Sequence, residues 1–260
     1  GGRLYTGRSA AKNASMTDDL AENRLKQRIV KRAFYRAALR SGVPKPEWGA
    51  LTGVRPVKLL SAFLKTDSEK AALSRFRREY GVSKARADLC MDAARAPAAA
   101  EKSLRPKDIC LYVGIPFCPT RCAYCSFVSQ SVEKSMKLVE PFLGALFSDI
   151  EATAKAVKNA DLRAVSLYMG GGTPTTLSAS QLDALFSRLE NAFRLSKVSE
   201  ITVEAGRPGT ITEDRLEALK LHGVTRISVN PQTMDDRVLE AIGRRHTARD
   251  IEDTMALAAS

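Results

Sequence analysis

Three cysteines within eight consecutive residues carry the most specific chemistry of this 260-residue chain. Pro116-Phe117-Cys118-Pro119-Thr120-Arg121-Cys122-Ala123-Tyr124-Cys125 sets Cys118, Cys122 and Cys125 in a C-x3-C-x2-C spacing. Thiolates are soft ligands, and bunched thiols suit zinc or an iron–sulfur cluster better than a disulfide. Cys90 and Cys110 stand apart, and an odd count of five so distributed makes a poor disulfide framework. A structural zinc takes four ligands, yet the two histidines, His222 and His246, lie far along the chain. Three ligands fit a four-iron cluster whose fourth iron stays open, so the balance favours iron–sulfur over zinc. Cys90 and Cys110 read as small core hydrophobes.

Further polar groups follow at intervals. Gly170-Gly171-Gly172-Thr173-Pro174-Thr175 is a run whose backbone could approach a ligand closely. By itself it is equally ordinary punctuation after a strand. Glu204, in Val203-Glu204-Ala205-Gly206-Arg207-Pro208, places a carboxylate at a strand end. Gln232 lies in Asn230-Pro231-Gln232-Thr233-Met234, and Arg244 follows twelve residues later. An arginine on a helix is usually solvated. His222, beside Gly223, reads as a helix terminator, and His246 as a helix-start or surface residue.

The elements that must position these groups alternate in type after Asp108. Strands are expected at Ile109–Ile115, Ala164–Met169, Glu200–Glu204 and Thr225–Val229. Helices are expected near 134–158, 179–193, 212–221, 235–242 and 247–258. Repeated βα units imply an α/β fold with a parallel sheet, and the cysteine loop, the glycine run, Glu204 and the segment of Gln232 then fall at strand C-terminal ends. Four strands do not close a barrel of eight, so the chain reads as the front part of a longer polypeptide. Residues 1–107 are expected to be all helical, separate from a domain at 108–260. Residues 1–16 read as a loose arm, and Thr17-Asp18-Asp19-Leu20 as the start of a helix ending by Ser41-Gly42. Trp48 is expected at the joint between the two parts, and Pro56 at the first position of a helix to Leu64. Helices near 67–79 and 83–95 precede a linker from Ala96 to Pro106.

With an aromatic immediately before its last cysteine, the cysteine loop resembles that of the radical S-adenosylmethionine (SAM) superfamily. That resemblance implies a [4Fe-4S] cluster on Cys118, Cys122 and Cys125, with SAM chelating the open iron. It also implies reductive cleavage of SAM to a 5′-deoxyadenosyl radical that abstracts hydrogen from an unactivated carbon. Tyr112, the run Tyr168 to Thr175, Glu204, Gln232 and Arg244 resemble, in order and spacing, the oxygen-independent coproporphyrinogen III oxidase family. Glu204-Ala205-Gly206-Arg207-Pro208, Asn230 to Met234 and Trp48-Gly49-Ala50-Leu51-Thr52-Gly53-Val54-Arg55-Pro56 look most like its HemZ branch. By position, Tyr112, Gly171, Gly172, Thr173, Glu204, Gln232 and Arg244 become the implied SAM-binding residues. The implied reaction is oxidative decarboxylation of two coproporphyrinogen III propionates, with a tetrapyrrole substrate and an electron donor as partners. Phe127 departs from the pattern, since the best-known oxidases place another cysteine two residues after the last ligand. Related proteins with an aromatic there include haem-trafficking chaperones. A haem-binding chaperone and an RNA-modifying radical SAM enzyme are therefore the rival readings.

Composition bounds these readings. Lys and Arg number 41 against 29 Asp and Glu, a formal net charge of +12. Residues 1–109 carry +13 (24 basic, 11 acidic) and residues 110–260 carry −1 (17 basic, 18 acidic). No apolar run approaches the ~20 residues of a membrane-spanning helix, and no signal-peptide pattern opens the chain, so a cytoplasmic protein is expected. The basic part reads first as solvated helix faces. RNA phosphates or tetrapyrrole carboxylates would suit it equally as ligands.

Overall fold

Hydrophobic periodicity changes from helical to alternating near residue 105, and the chain divides there into two units. In the computed structural model these are Gly1–Leu104 and Arg105–Ser260. The structure describes residues 2–11, 19–51, 55–127 and 129–260. Thr17 and Asp18 of the expected helix start lie outside them, as do Thr52, Gly53 and Val54 of the Trp48–Pro56 motif.

The first unit is helical: α1 (Asp19–Arg40), α2 (Pro56–Leu64), α3 (Glu69–Tyr80) and α4 (Lys84–Ser103). Pro56 opens α2, where its missing N–H costs nothing. Ser68 and Ser83 cap α3 and α4 by accepting from the backbone N–H of Ala71 and Arg86. Leu60, Phe63, Phe76, Val82, Cys90 and Met91 form the core, with Trp48 packed against it. Trp48 thus serves the helical unit's own core. Two expectations are corrected. The segment from Ala96 does not leave the helix: α4 runs through Pro97 to Ser103. Alanines on both sides of Pro97 have the highest helix propensity and tolerate one missing backbone bond. Nor are residues 2–11 loose. Arg40 Nη1 donates to the Thr6 carbonyl at 2.8 Å. The backbone at Gly7 lies so near α1 that a Cβ would sit 1.8 Å from the Ala33 carbonyl oxygen.

The second unit is built on a four-stranded parallel sheet. Its strands are β1 (Asp108–Ile115), β4 (Arg163–Gly171), β5 (Glu200–Glu204) and β6 (Arg226–Ser228), side by side in that order. Between β1 and β4 come β2 (Phe117–Cys118), β3 (Gln130–Ser131), α5 (Val132–Ser135) and α6 (Val139–Asn159). Helices α7 (Ala179–Phe193), α8 (Glu213–Leu221), α9 (Asp236–Ala241) and α10 (Ala248–Ala259) complete the unit. The sequence did not announce β2 and β3, a two-residue parallel pair that matches Cys118 with Ser131. Alternation places Val113, Ile115, Leu167, Met169, Ile201 and Val203 on one face, in a core with Leu143 and Ile150 of α6 and Leu182, Leu185, Phe186 and Leu189 of α7. Burial of this set supplies the main stabilisation, about 1.5–3 kcal/mol for each large side chain. The opposite face carries Tyr112 and Tyr168. Cys110 shares that face and is exposed, not a core hydrophobe, because it alternates with Leu111 and Val113. Cys90, by contrast, is buried on α4. His222 follows α8 as its cap, bonded to Asp183 at 2.9 Å. Among the described residues no helix is long and apolar enough to cross a membrane.

Candidate functional site

Register brings the candidate groups together. Tyr112 pairs with Tyr168 and Gly114 with Gly170 across β1 and β4, while Met169 pairs with Val203 on β5. The C-terminal ends of β1, β4 and β5 therefore converge. At Gly171 the backbone takes φ +102°, a region that favours glycine. One residue on, the chain returns to β1: the Gly172 N–H donates to the Ile115 carbonyl at 2.8 Å, and the Thr173 N–H to Phe117 at 2.7 Å. These bonds hold the glycine strand end against the entry to the cysteine loop. The buried Thr173 hydroxyl then lies 3.4 Å from Cys118 Sγ.

The cysteine loop is held from a second side. The Ala123 N–H donates to the Ile242 carbonyl at 3.0 Å and the Thr120 hydroxyl to Gly243 at 3.2 Å. Gly243 adopts φ +76°, as the turn leaving α9 requires. Cys118 and Cys122 are buried and Cys125 half-buried. Arg207, 6% exposed, donates from Nη2 to Cys122 Sγ at 2.8 Å and to the Thr120 carbonyl at 3.0 Å. Burial alone would raise the Cys122 thiol. A hydrogen bond with Tyr124 and the charges of Arg207 and Arg244 overcome it, so its pKa falls below the ordinary thiol value.

Arg244 is buried, and its Nη1 donates to the carbonyls of Gly206 and Asn230, both at 2.9 Å. It ties the segments leaving β5 and β6 together, unlike the solvated arginine its helical setting suggested. Glu204 accepts from the Tyr168 hydroxyl at 2.6 Å and lies against Gly170, where a Cβ would come within 3.1 Å of its carboxyl carbon. The Tyr168 phenol is pushed up to about 12, first by that hydrogen bond and then by burial. Tyr112 stacks on Tyr168, ring centroids 6.1 Å apart. Gln232 differs: it is exposed, at φ +67°. His246 precedes Thr247, the N-cap of α10, as expected of a helix-start residue. Burial and the neighbouring Arg244 and Arg207 push its pKa down. Phe127 is 67% exposed.

Sequence reasoning named Tyr168 and Arg207 only as letters of motifs and did not give them contacts. The signal for Arg207 was a charged side chain between Gly206 and Pro208 just past a strand end, where the chain must turn into the site.

Residues 112–260 match the model of the radical SAM superfamily. The chain belongs to that superfamily. It is 38% identical over 208 residues to the oxygen-independent coproporphyrinogen-III oxidase-like protein HemZ of Bacillus subtilis, covering 78% of this chain and 42% of that protein. It is 36% identical over 141 residues to the heme chaperone HemW of the same organism, covering 54% of this chain and 36% of that one. Among solved structures it resembles coproporphyrinogen III oxidase (HemN) from Escherichia coli, a radical SAM enzyme, with TM-score 0.53 and 28% identity over 64% of this chain and 37% of that one. The chain thus spans well under half the length of these relatives.

Membership implies a [4Fe-4S] cluster and SAM. Among the described residues no three His, Cys, Asp or Glu side chains stand as a ready-made metal group. The donor set nevertheless fits. Three soft thiols share one short loop, two cations stand at Cys122 to offset thiolate charge, and the buried Arg207 Nη1 and Arg244 Nε have no hydrogen-bond partner among the described residues. Glycine backbone without side chains lies beside them.

Proposed function

We propose that this chain is the cluster- and SAM-binding part of a radical SAM enzyme that oxidatively decarboxylates propionate side chains of coproporphyrinogen III to vinyl groups. The observation that carries this reading is the joining of the three-cysteine loop to the glycine strand end, through Gly172, Thr173 and Cys118, in a chain 38% identical to HemZ. Cys118, Cys122 and Cys125 would hold the cluster. Gly171, Gly172 and Thr173 would present backbone to SAM, with Tyr112, Glu204, Gln232 and Arg244 around it. When bound, this pair supplies one-electron chemistry able to remove hydrogen from an unactivated carbon. Tyr168 holds the Glu204 carboxylate in one orientation, and Arg244 holds the β5 and β6 exits at a fixed separation. Each propionate would lose carbon dioxide, one proton and two electrons, and conversion of one SAM to methionine and 5′-deoxyadenosine would take up that proton and those electrons. The five free thiols suit a reducing, cytoplasmic setting.

The test is anaerobic reconstitution with iron and sulfide, followed by incubation with coproporphyrinogen III, SAM and dithionite. Chromatography should show products lighter by one and two carboxyl groups, and loss of these products in Cys118→Ala. A second reading, a haem chaperone, is favoured by Phe127 and by the HemW likeness. Absence of decarboxylated product, together with stoichiometric haem binding, would select it.

A further inference from the structure

We propose that Arg207 is a positioning residue for the cluster, bonding the Cys122 thiolate so that the bound cluster accepts an electron more readily. This rests on the cluster-binding reading above and extends it to a residue outside the ligand set.

The guanidinium is buried, 2.8 Å from Cys122 Sγ, and the same nitrogen fixes the Thr120 carbonyl in the cysteine loop. Its backbone is equally constrained. The Thr210 hydroxyl donates to the Arg207 carbonyl at 2.8 Å and pairs with the Thr175 hydroxyl at 2.6 Å, just beyond the glycine run. One chain of contacts thus runs from the end of β4 through Thr175, Thr210 and Arg207 to the thiol. The other terminal nitrogen, Nη1, is buried without a hydrogen-bond partner among the described residues. A buried cation with an unused donor costs free energy unless an acceptor reaches it. A cluster held by Cys122 would bring sulfide acceptors to this side. Hydrogen bonds to ligand sulfur and net charge set the potentials of iron–sulfur centres. Adding one electron adds one negative charge beside the guanidinium, so Arg207 favours the reduced form. Arg244 donates from Nη1 to two carbonyls, and its charge adds to that of Arg207 at Cys122.

The test is a redox titration of the reconstituted protein, followed by electron paramagnetic resonance, in wild type, Arg207→Met and Arg207→Lys. Dithionite is oxidised as the cluster takes up one electron. In Arg207→Met the electron should bind about tenfold more weakly, a potential lower by about 59 mV for a one-electron couple. Arg207→Lys, which keeps the charge but not the fork, should fall in between. If both variants hold about four irons at the wild-type potential, the proposal is overturned. Reduced iron loading or thermal stability with an unmoved potential marks Arg207 as a structural support only, and overturns it too. Should Arg207→Met not fold, the lysine variant decides, a lowered potential supporting the proposal and an unchanged one refuting it. Failure of wild type to take up iron refutes the cluster-binding reading itself, a result distinct from either.

Discussion

Replacing Gly172 with alanine should destabilise the second unit by about 3 kcal/mol. The added Cβ would stand 2.5 Å from the Phe117 carbonyl oxygen and 2.9 Å from that of Ile115. Both are backbone atoms, so no side chain can rotate away. Relief to the 3.4 Å of an ordinary contact moves the segment by about 0.9 Å. That shift strains the bonds from Gly172 N–H to Ile115 and from Thr173 N–H to Phe117. Overpacking of this kind costs about 1–3 kcal/mol, and each weakened hydrogen bond up to about 1 kcal/mol. Urea unfolding followed by far-ultraviolet circular dichroism should show the midpoint falling by about 1.5 M, for a slope near 2 kcal/mol/M. Faster amide exchange should appear at the ends of β1 and β4. Gly144→Ala is the control: it lies exposed in α6 with nothing near its Cβ, and should stabilise by about 0.5–1 kcal/mol. A Gly172→Ala midpoint within error of wild type would refute the close approach on which the site's construction depends.

Other perturbations follow from particular contacts. The Tyr168 phenol is raised by its bond to Glu204 and by burial, so its contribution to stability is present below pH 10 and lost as pH rises to about 12. Tyr168→Phe should remove that part of the pH dependence, and tyrosinate absorbance should lose its highest-titrating component. In the metal-free chain, iodoacetamide should label Cys110 rapidly and Cys90 only on unfolding, as mass spectrometry of the peptides would show, because Cys90 is 1% exposed and burial pushes its thiol up. Pro97→Ala should stabilise α4 by up to about 3 kcal/mol, read as a higher thermal midpoint and more helical dichroism. A lower midpoint would mean that the proline is needed for the helix's course.

Local patterns made much of the fold legible. Short β-type runs marked β1 and β4, and the helical spacing that follows each strand marked the crossovers. Breakers were read less well. Pro97 ended the expected helix, whereas the structure carries α4 to Ser103, since flanking alanines outweigh a single lost bond. The expected burial of Cys110 failed for a related reason: apolar type was weighed above strand phase. The short β2–β3 pair had no periodicity to reveal it, because two residues are too few to show any.

The sequence by itself determined which chemistry was available: three thiols at fixed spacing, glycines at a strand end, and polar groups after each later strand. Spacing along the chain suffices for this because the loop is local and each strand end recurs with the βα period. Tertiary structure alone decided how those groups meet. The bonds from Arg207 to Cys122, from Thr173 to Cys118 and from Tyr168 to Glu204 join residues 85, 55 and 36 positions apart. Such contacts depend on parallel register and on the path of the loops beyond the strand ends. Both are settled by packing the whole core, and no window of sequence contains them.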